Sequence, residues 1–215
     1  MNLDRQHFRG HALPEVVPED VRALARKGYV RMGVLALFVN DNGEVLMLRH
    51  KRSTKNRAGQ LGPLGETMEA TLAPDGDILD IEQPVQCLTR GMLEELELAP
   101  KSIELRGYFT TDWETGDGVG VAFAICPVID CGDGARFLRD PNTPEIAGTI
   151  FMKPDDIMVL PDEELRPGVK LLIRELQEFL SRPIKSRRRM SLRPLQLRLG
   201  DWEDVDLRHA SQAWS

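Results

Sequence analysis

Four ionisable residues between positions 82 and 95 have the types and spacing that metal-assisted phosphate chemistry requires. Arg90 follows Glu82 by eight positions, and Glu94 and Glu95 come about one helical turn after Arg90. Mg²⁺ and Mn²⁺ prefer oxygen ligands, and proteins commonly hold Mg²⁺ with one or two carboxylates together with the phosphates of a substrate. An arginine at i−4 can form an ion pair with Glu94 and hold it in place. The pattern predicts a site for a divalent cation and a phosphorylated molecule.

This chemistry requires that Glu94 and Glu95 lie on a helix face that is not buried in the core. Apolar residues recur at three- and four-residue steps across residues 84–96, which predicts a helix with one buried stripe. The stripe runs through Leu88, Met92 and Leu96. It therefore allows the two glutamates to face a cleft.

The spacing resembles the Nudix box, in which Gly and Glu precede Arg-Glu-apolar-any-Glu-Glu-any-Gly-apolar. Gly76, Glu82, Arg90, Glu94 and Glu95 match five of its fixed residue types. The resemblance implies that Glu94, Glu95 and Glu82 bind Mg²⁺ or Mn²⁺ and that Arg90 orients the carboxylates.

The resemblance extends over about residues 29–180 and leaves the box glycine undecided. In a second register, Gly65 and Glu69 match the Gly-Gly-x-x-Glu run that precedes the box, and residues 70–81 become an insertion. Both registers keep Glu82. Such enzymes often use a glutamate before their last strand in catalysis, and Glu145 is the positional match.

Two residues depart from the box. Gly91 stands where the box has the glutamate after arginine, so a ligand or base is expected to be missing, and glycine inside a helix costs about 1 kcal/mol relative to alanine. Glu97 replaces the closing glycine, so we expect the helix to lose its left-handed cap and to end before Pro100.

The fold class implied is α/β (α+β), a Nudix-like α/β/α sandwich with a mixed β-sheet. The activity implied is metal-dependent hydrolysis of a phosphoanhydride in a nucleoside diphosphate linked to another moiety. Glu145 or Glu82 would accept a proton from water. The basic segment 51–57 follows a strand, and its Arg52, Lys55 and Arg57 could bind phosphates, although a solvated loop is the simpler interpretation.

Three alternatives stay open. Gly91 supports the first, a catalytically impaired Nudix-fold module that binds a ligand or regulates without turnover. An isoprenoid-diphosphate hydrolase or isomerase would need an extra catalytic cysteine in a strand-end motif, which we do not find. An interaction domain with a basic tail is the third.

Hydrophobic periodicity and turn residues predict the elements that must position these side chains. An N-terminal arm and short helix (1–28) precede the Nudix-like domain (29–181), and a basic, then acidic, tail (182–215) follows. Strands are predicted at 32–39, 45–48, 103–110, 119–129 and 149–152, helices at 18–27, 84–96 and 169–180, and loops at 51–57, 59–65 and 73–80.

Composition narrows the classes of protein. Apolar residues make up 41% and charged residues 29%, and no apolar run is long enough to span a bilayer. Three irregularly spaced cysteines and an N-terminus without an apolar segment predict a cytoplasmic protein. The net charge of −6 disfavours nucleic acid as the partner and leaves a small diphosphate as the expected ligand, with a homodimer conceivable.

Overall fold

The computed structural model describes residues 8–10, 13–53, 58–98, 103–115, 120–138, 141 and 143–182. The predicted tail beyond Arg182 lies outside the described residues, and so do Lys55, Arg57 and Pro100. Within the described part of the chain, no helix is long and apolar enough to cross a membrane.

Long apolar strands dominate the described chain, as expected for a sheet that is covered on both faces. Each strand predicted from the sequence is present, with shifted ends. The strands are β1 (Phe8–Gly10), β2 (Tyr29–Val39), β3 (Val45–His50), β4 (Leu61–Gly62), β5 (Leu64–Thr67), β6 (Ala70–Leu72), β7 (Ile78–Ile81), β8 (Ile103–Glu114), β9 (Val121–Asp130) and β10 (Ile146–Met152).

The helices follow local sequence signals closely. They are α1 (Pro18–Arg26), α2 (Pro84–Leu96), α3 (Pro154–Val159) and α4 (Val169–Ser181). The first three begin with proline, whose fixed φ suits the first turn and whose missing N–H has no partner there in any case. The predicted helix at 84–96 is confirmed.

Two segments predicted as loops contain strands, and this corrects the sequence analysis. β4 and part of β5 lie within 59–65, and β7 occupies most of the second half of 73–80. The glycines there allow neighbouring groups to approach closely. A Cβ on Gly62, for example, would lie 2.4 Å from the side chain of Arg166. The predicted N-terminal arm also supplies a strand, β1, which pairs with β8.

Eight strands form one mixed sheet in the order β1-β8-β9-β2-β3-β10, with β4 beside β3 and β5 beside β2. β1 pairs with β8 in parallel, and so does β9 with β2. Strands β2 and β3 share the single register pair Val39 and Val45, so they diverge. β5 takes the place of β3 alongside residues 33–36 of β2. The divergence brings the end of β5 next to α2.

Alternation along β2 produces two cores and therefore three layers. Val34 and Phe38 join a core with α1 and α2, whereas Leu35 and Leu37 join a second core with α3 and α4. Successive side chains of a strand point to opposite faces, so one strand serves both cores. The predicted α/β/α sandwich with a mixed sheet is confirmed.

Helix α2 ends at Glu97, which adopts the left-handed conformation with φ 51° and ψ 33°. The expectation that Glu97 removes the left-handed cap is therefore wrong. The N–H of Glu97 donates to the carbonyl of Leu93 at 3.1 Å, and that of Leu98 donates to Met92 at 3.0 Å. These hydrogen bonds offset a steric cost of about 1–2 kcal/mol for a residue with a Cβ.

We expect Glu97→Gly to raise the free energy of unfolding by about 1 kcal/mol, because glycine adopts this conformation without the steric cost. Glu97→Ala is the matched control, since it removes the carboxylate and keeps the Cβ. Urea denaturation at neutral pH measures both variants. Equal free energies of unfolding for the two would contradict this explanation.

The Glu175 carboxyl group on α4 has a pKa that differs from its ordinary value. Burial raises its pKa, nearby Asp112 and Glu178 raise it further, and a hydrogen bond from Thr111 at 3.1 Å lowers it. Its pKa is therefore higher in the folded than in the unfolded chain. The folded state loses stability relative to the unfolded state as pH rises through the folded value.

Glu175→Gln should consequently raise the melting temperature at about pH 8 and change it little at about pH 4, where the native carboxyl is already protonated. Glu104→Gln, at an exposed carboxyl of β8, controls for the loss of one charge. Thermal denaturation at the two pH values tests this. If Glu175→Gln raised the melting temperature only at the lower pH, the pKa of Glu175 would be shifted in the opposite direction.

Candidate functional site

Arg90 of α2 lies at the centre of a group of carboxylates. Its Nε and Nη2 donate to the two oxygens of Glu82 at 3.2 and 3.0 Å, and its Nη1 donates to Glu66 at 3.0 Å. Nη2 also donates to the carbonyl of Thr67 at 2.7 Å, and the carboxylate of Glu94 lies 3.5 Å from Nη1. The hydrogen bonds to Glu82 raise the pKa of Arg90, so its guanidinium stays charged.

A hairpin brings Glu82 to Arg90. Strands β6 and β7 pair with each other as a separate two-stranded sheet, which accounts for the predicted insertion at 70–81. At its base, the N–H of Glu82 donates to the carbonyl of Glu69 at 2.8 Å, and the N–H of Glu69 donates to the Glu82 carboxylate at 3.1 Å. These hydrogen bonds close the base of the insertion and place Glu82 next to Glu69, which follows β5.

The two candidate box glycines lie in different places. Gly76 is in the turn between β6 and β7, where it adopts a positive φ of 89°. Gly65 lies on β5 and lines the cleft described next. The geometry supports the register that uses Gly65 and treats the hairpin as an insertion.

An acidic cleft of about 510 Å³ opens beside Arg90, a volume typical of small-molecule sites. Strand β5 and helix α2 form one wall, and the segment before β10 forms the other. Its acidic residues outnumber the single arginine by five to one. The lining residues are Gly65, Glu66, Thr67, Met68, Glu69, Arg90, Glu94, Glu95, Thr143, Pro144 and Glu145.

Four of the predicted site residues line this cleft, namely Arg90, Glu94, Glu95 and Glu145. The side chain of Glu94 is 58% exposed, whereas Glu95 as a residue is only 7% exposed, yet both line the cleft. Glu145 is exposed on the opposite wall. Glu82 does not line the cleft, although its carboxylate also contacts Arg90.

The predicted phosphate-binding residues fall next to this cleft or outside the described chain. Arg52 is exposed and is not among the lining residues. Lys51, directly before it, fixes the start of this loop: its ammonium donates to the carbonyl of Thr143, and its N–H donates to the carbonyl of Glu145 at 2.7 Å. The loop thus begins at the cleft wall that carries Glu145.

Sequence reasoning missed Glu66, which lines the cleft and contacts Arg90. Its neighbours Gly65 and Glu69 were singled out, but nothing in the local pattern distinguished Glu66. The available signal was Gly91, because a glycine inside an otherwise regular helix indicates the close approach of another group.

The donor set fits a hard divalent cation. Within the described residues, no three His, Cys, Asp or Glu side chains are close enough to form a ready-made metal cage. The carboxylates are distributed around Arg90 instead. Mg²⁺ does not need such a cage, since it keeps several waters and takes one or two carboxylates together with substrate oxygens. Glu94 and Glu95 on one wall can supply two carboxylates, and any further carboxylate would take the place of one water.

The cysteines are unsuited to nucleophilic chemistry. Cys87, Cys126 and Cys131 are all buried and unpaired with one another. Burial raises the pKa of each thiol, that of Cys131 to about 12. A reactive thiolate needs a lowered pKa and access to solvent.

No family model and no curated protein sequence matches the chain. Solved structures do resemble it, among them the C. elegans Ap4A hydrolase binary complex, at 14% identity with a TM-score of 0.49 over 70% of this chain and 98% of that chain. A NUDIX hydrolase from Nitrosomonas europaea is 15% identical, with a TM-score of 0.48 over 71% of this chain and 90% of that chain. The NUDIX domain of Shewanella oneidensis NrtR complexed with ADP ribose is 16% identical, with a TM-score of 0.46 over 70% and 88%.

These similarities concern the fold. The resemblance to Nudix proteins in sequence is accompanied by one in structure, but neither the activity nor the ligand of those proteins follows from it for this chain. The chemistry has to be argued from the residues of the cleft.

Arg90→Ala is expected to lower the free energy of unfolding by about 3 kcal/mol, because it leaves partly buried carboxylates without their common cation. Arg106→Ala is the matched control. Arg106 is similarly exposed but pairs with Asp130 alone, so about 1 kcal/mol or less is expected. Urea denaturation measures both. Equal losses would show that Arg90 is no more than an ordinary surface ion pair.

Proposed function

We propose that this protein is a metal-dependent hydrolase that cleaves a phosphoanhydride linkage in a nucleoside diphosphate joined to another moiety. The observation that carries the proposal is the arrangement of Glu94 and Glu95 beside Arg90 on one wall of the acidic cleft. Both the chemistry of this donor set and its spacing in the sequence support it.

The charge of the cleft is the argument for the cation. Five carboxylates and one guanidinium line it, so a free diphosphate anion would be repelled. A bound Mg²⁺ or Mn²⁺ would reduce this repulsion, offset the charge of the phosphates and lower the pKa of the attacking water. Glu94 and Glu95 are the residues we assign to hold it.

The remaining side chains act around that centre. Arg90 holds Glu94 in position, and the two hydrogen bonds from Arg90 to Glu82 favour a positioning role for Glu82 over a ligand role. Glu145 faces the cleft from the opposite wall, where it is the candidate to accept the proton of the attacking water. Arg52 directly follows Lys51, whose N–H donates to the carbonyl of Glu145, so Arg52 stays a candidate for binding the outer phosphate. Lys55 and Arg57 stay candidates from the sequence alone.

The alternatives are weakened by particular observations. A catalytically impaired module was inferred from the loss of a carboxylate at Gly91, but Glu66 brings a carboxylate to the same wall of the cleft. An isoprenoid-diphosphate isomerase needs a reactive cysteine, and every cysteine of the chain is buried with a raised pKa.

The test is a hydrolysis assay with Mg²⁺ or Mn²⁺ on dinucleotides, nucleotide sugars, nucleoside di- and triphosphates and prenyl diphosphates. We expect metal-dependent cleavage of a nucleoside diphosphate derivative and a loss of about a hundredfold or more in Glu94→Gln/Glu95→Gln, since those residues would hold the cation. Chromatography identifies the products.

Glu114→Gln, an exposed carboxyl of β8 outside the lining residues, controls for the loss of negative charge. Binding of one of these ligands by folded protein, with no cleavage in either metal, would replace the hydrolase with the ligand-binding module. Cleavage of prenyl diphosphates alone would favour the isoprenoid alternative.

A further inference from the structure

Gly91 faces strand β5 from the buried side of α2, and it leaves no room for a side chain. A Cβ built on Gly91 would lie 2.4 Å from Cγ of Glu66 and 3.4 Å from a methyl carbon of Leu64. Real Cβ atoms do not approach that closely. The methylene group of Glu66 therefore occupies the space through which a side chain at position 91 would leave the helix.

This packing determines where the carboxylate of Glu66 lies. The side chain crosses the helix at Gly91, and its carboxylate then accepts a hydrogen bond from Nη1 of Arg90 at 3.0 Å. Glu94 lies 3.5 Å from the same nitrogen, so both carboxylates are on one side of the guanidinium. Glu66 and Glu94 both line the acidic cleft, and the side chain of Glu66 is only 16% exposed.

We propose that Glu66 is a ligand of the divalent cation in this cleft, with its carboxylate delivered from β5 through the gap at Gly91. The inference rests on the proposed function, which supplies the cation. On this view Gly91 does not mark a missing acidic group. It makes room for one that comes from a different element, 25 positions earlier in the chain.

A purely structural role for Glu66, as a partner of Arg90, explains less. Glu82 already engages Nε and Nη2 of Arg90 through both of its oxygens. Glu66 and Glu82 are alike in their 3.0 Å contacts to Arg90 and in side-chain exposure, at 16% and 14%. They differ in that Glu66 lines the cleft and Glu82 does not. The two residues therefore form a matched pair for experiment.

The first test is calorimetric titration of the full chain with MnCl₂, without substrate. We expect Glu66→Gln, which keeps the shape of the side chain, to weaken Mn²⁺ binding about tenfold or more, because affinity depends on ligand charge. In buffer at about 0.15 M salt, Glu82→Gln should weaken it by only about threefold, the effect of removing one charge several ångströms from a divalent cation in a screened, water-like medium.

The second test exchanges the two positions. Gly91→Glu alone should lower the melting temperature, because its Cβ meets the Glu66 methylene. In Glu66→Gly/Gly91→Glu the space is free, so the melting temperature should be higher than that of Gly91→Glu. The affinity for Mn²⁺ should be higher than that of Glu66→Gly. Glu66→Gly/Gly91→Gln is the control: it repeats the exchange of volume without the carboxylate, so only the melting temperature should recover.

The outcomes separate this inference from the proposed function. If Glu66→Gln binds Mn²⁺ as tightly as the wild-type chain while Glu94→Gln/Glu95→Gln has lost binding, Glu66 is not a ligand and the hydrolase proposal is unaffected. Equal losses in Glu66→Gln and Glu82→Gln would assign Glu66 to the positioning of Arg90 and overturn the inference. A wild-type chain that neither binds Mn²⁺ nor responds to it in the hydrolysis assay would overturn both.

Discussion

The guanidinium of Arg90 is the interaction on which the architecture of the cleft depends. A partly buried cation must be matched by acceptors, and those of Arg90 come from three places: β5, the end of the β6–β7 hairpin, and the next turn of α2. Because the guanidinium is planar and its donors have fixed directions, it constrains the position of each acceptor. Arg90 therefore links α2 to β5 and to the end of the hairpin.

The sheet has to open for this arrangement to exist. β2 pairs with β3 only at Val39 and Val45, and β5 takes over beside residues 33–36. A sheet in which β2 and β3 stayed paired along their length would leave no edge for β5 to occupy. The divergence therefore places Glu66 under α2, and it leaves the cleft between β5 and the segment that carries Glu145.

Helix α2 breaks two local rules, one beside the cleft and one at its C-terminal end. Gly91 lowers helix propensity in the middle of the helix but admits the side chain of Glu66. Glu97 takes a left-handed conformation that favours glycine, because its N–H and that of Leu98 close the last turn. Local preference predicted the extent of the helix well. It failed at Glu97, where two capping hydrogen bonds offset a steric cost of about 1–2 kcal/mol.

The sequence by itself determined three of the helices, the five longest strands and the relation among Arg90, Glu94 and Glu95. Residues three to five positions apart on a helix have a fixed geometry, so the periodicity of residues 84–96 was enough to put them on one wall. The nearly continuous apolar run along β2 likewise suits a sheet with helices packed against it. Only the tertiary structure decided that Glu66 belongs to the same wall, that residues 70–81 form a closed hairpin, and that Gly65 rather than Gly76 reaches the cleft. Arg90 and Glu66 are 24 positions apart, and their contact depends on strand pairing and on packing at Gly91, which no local period encodes.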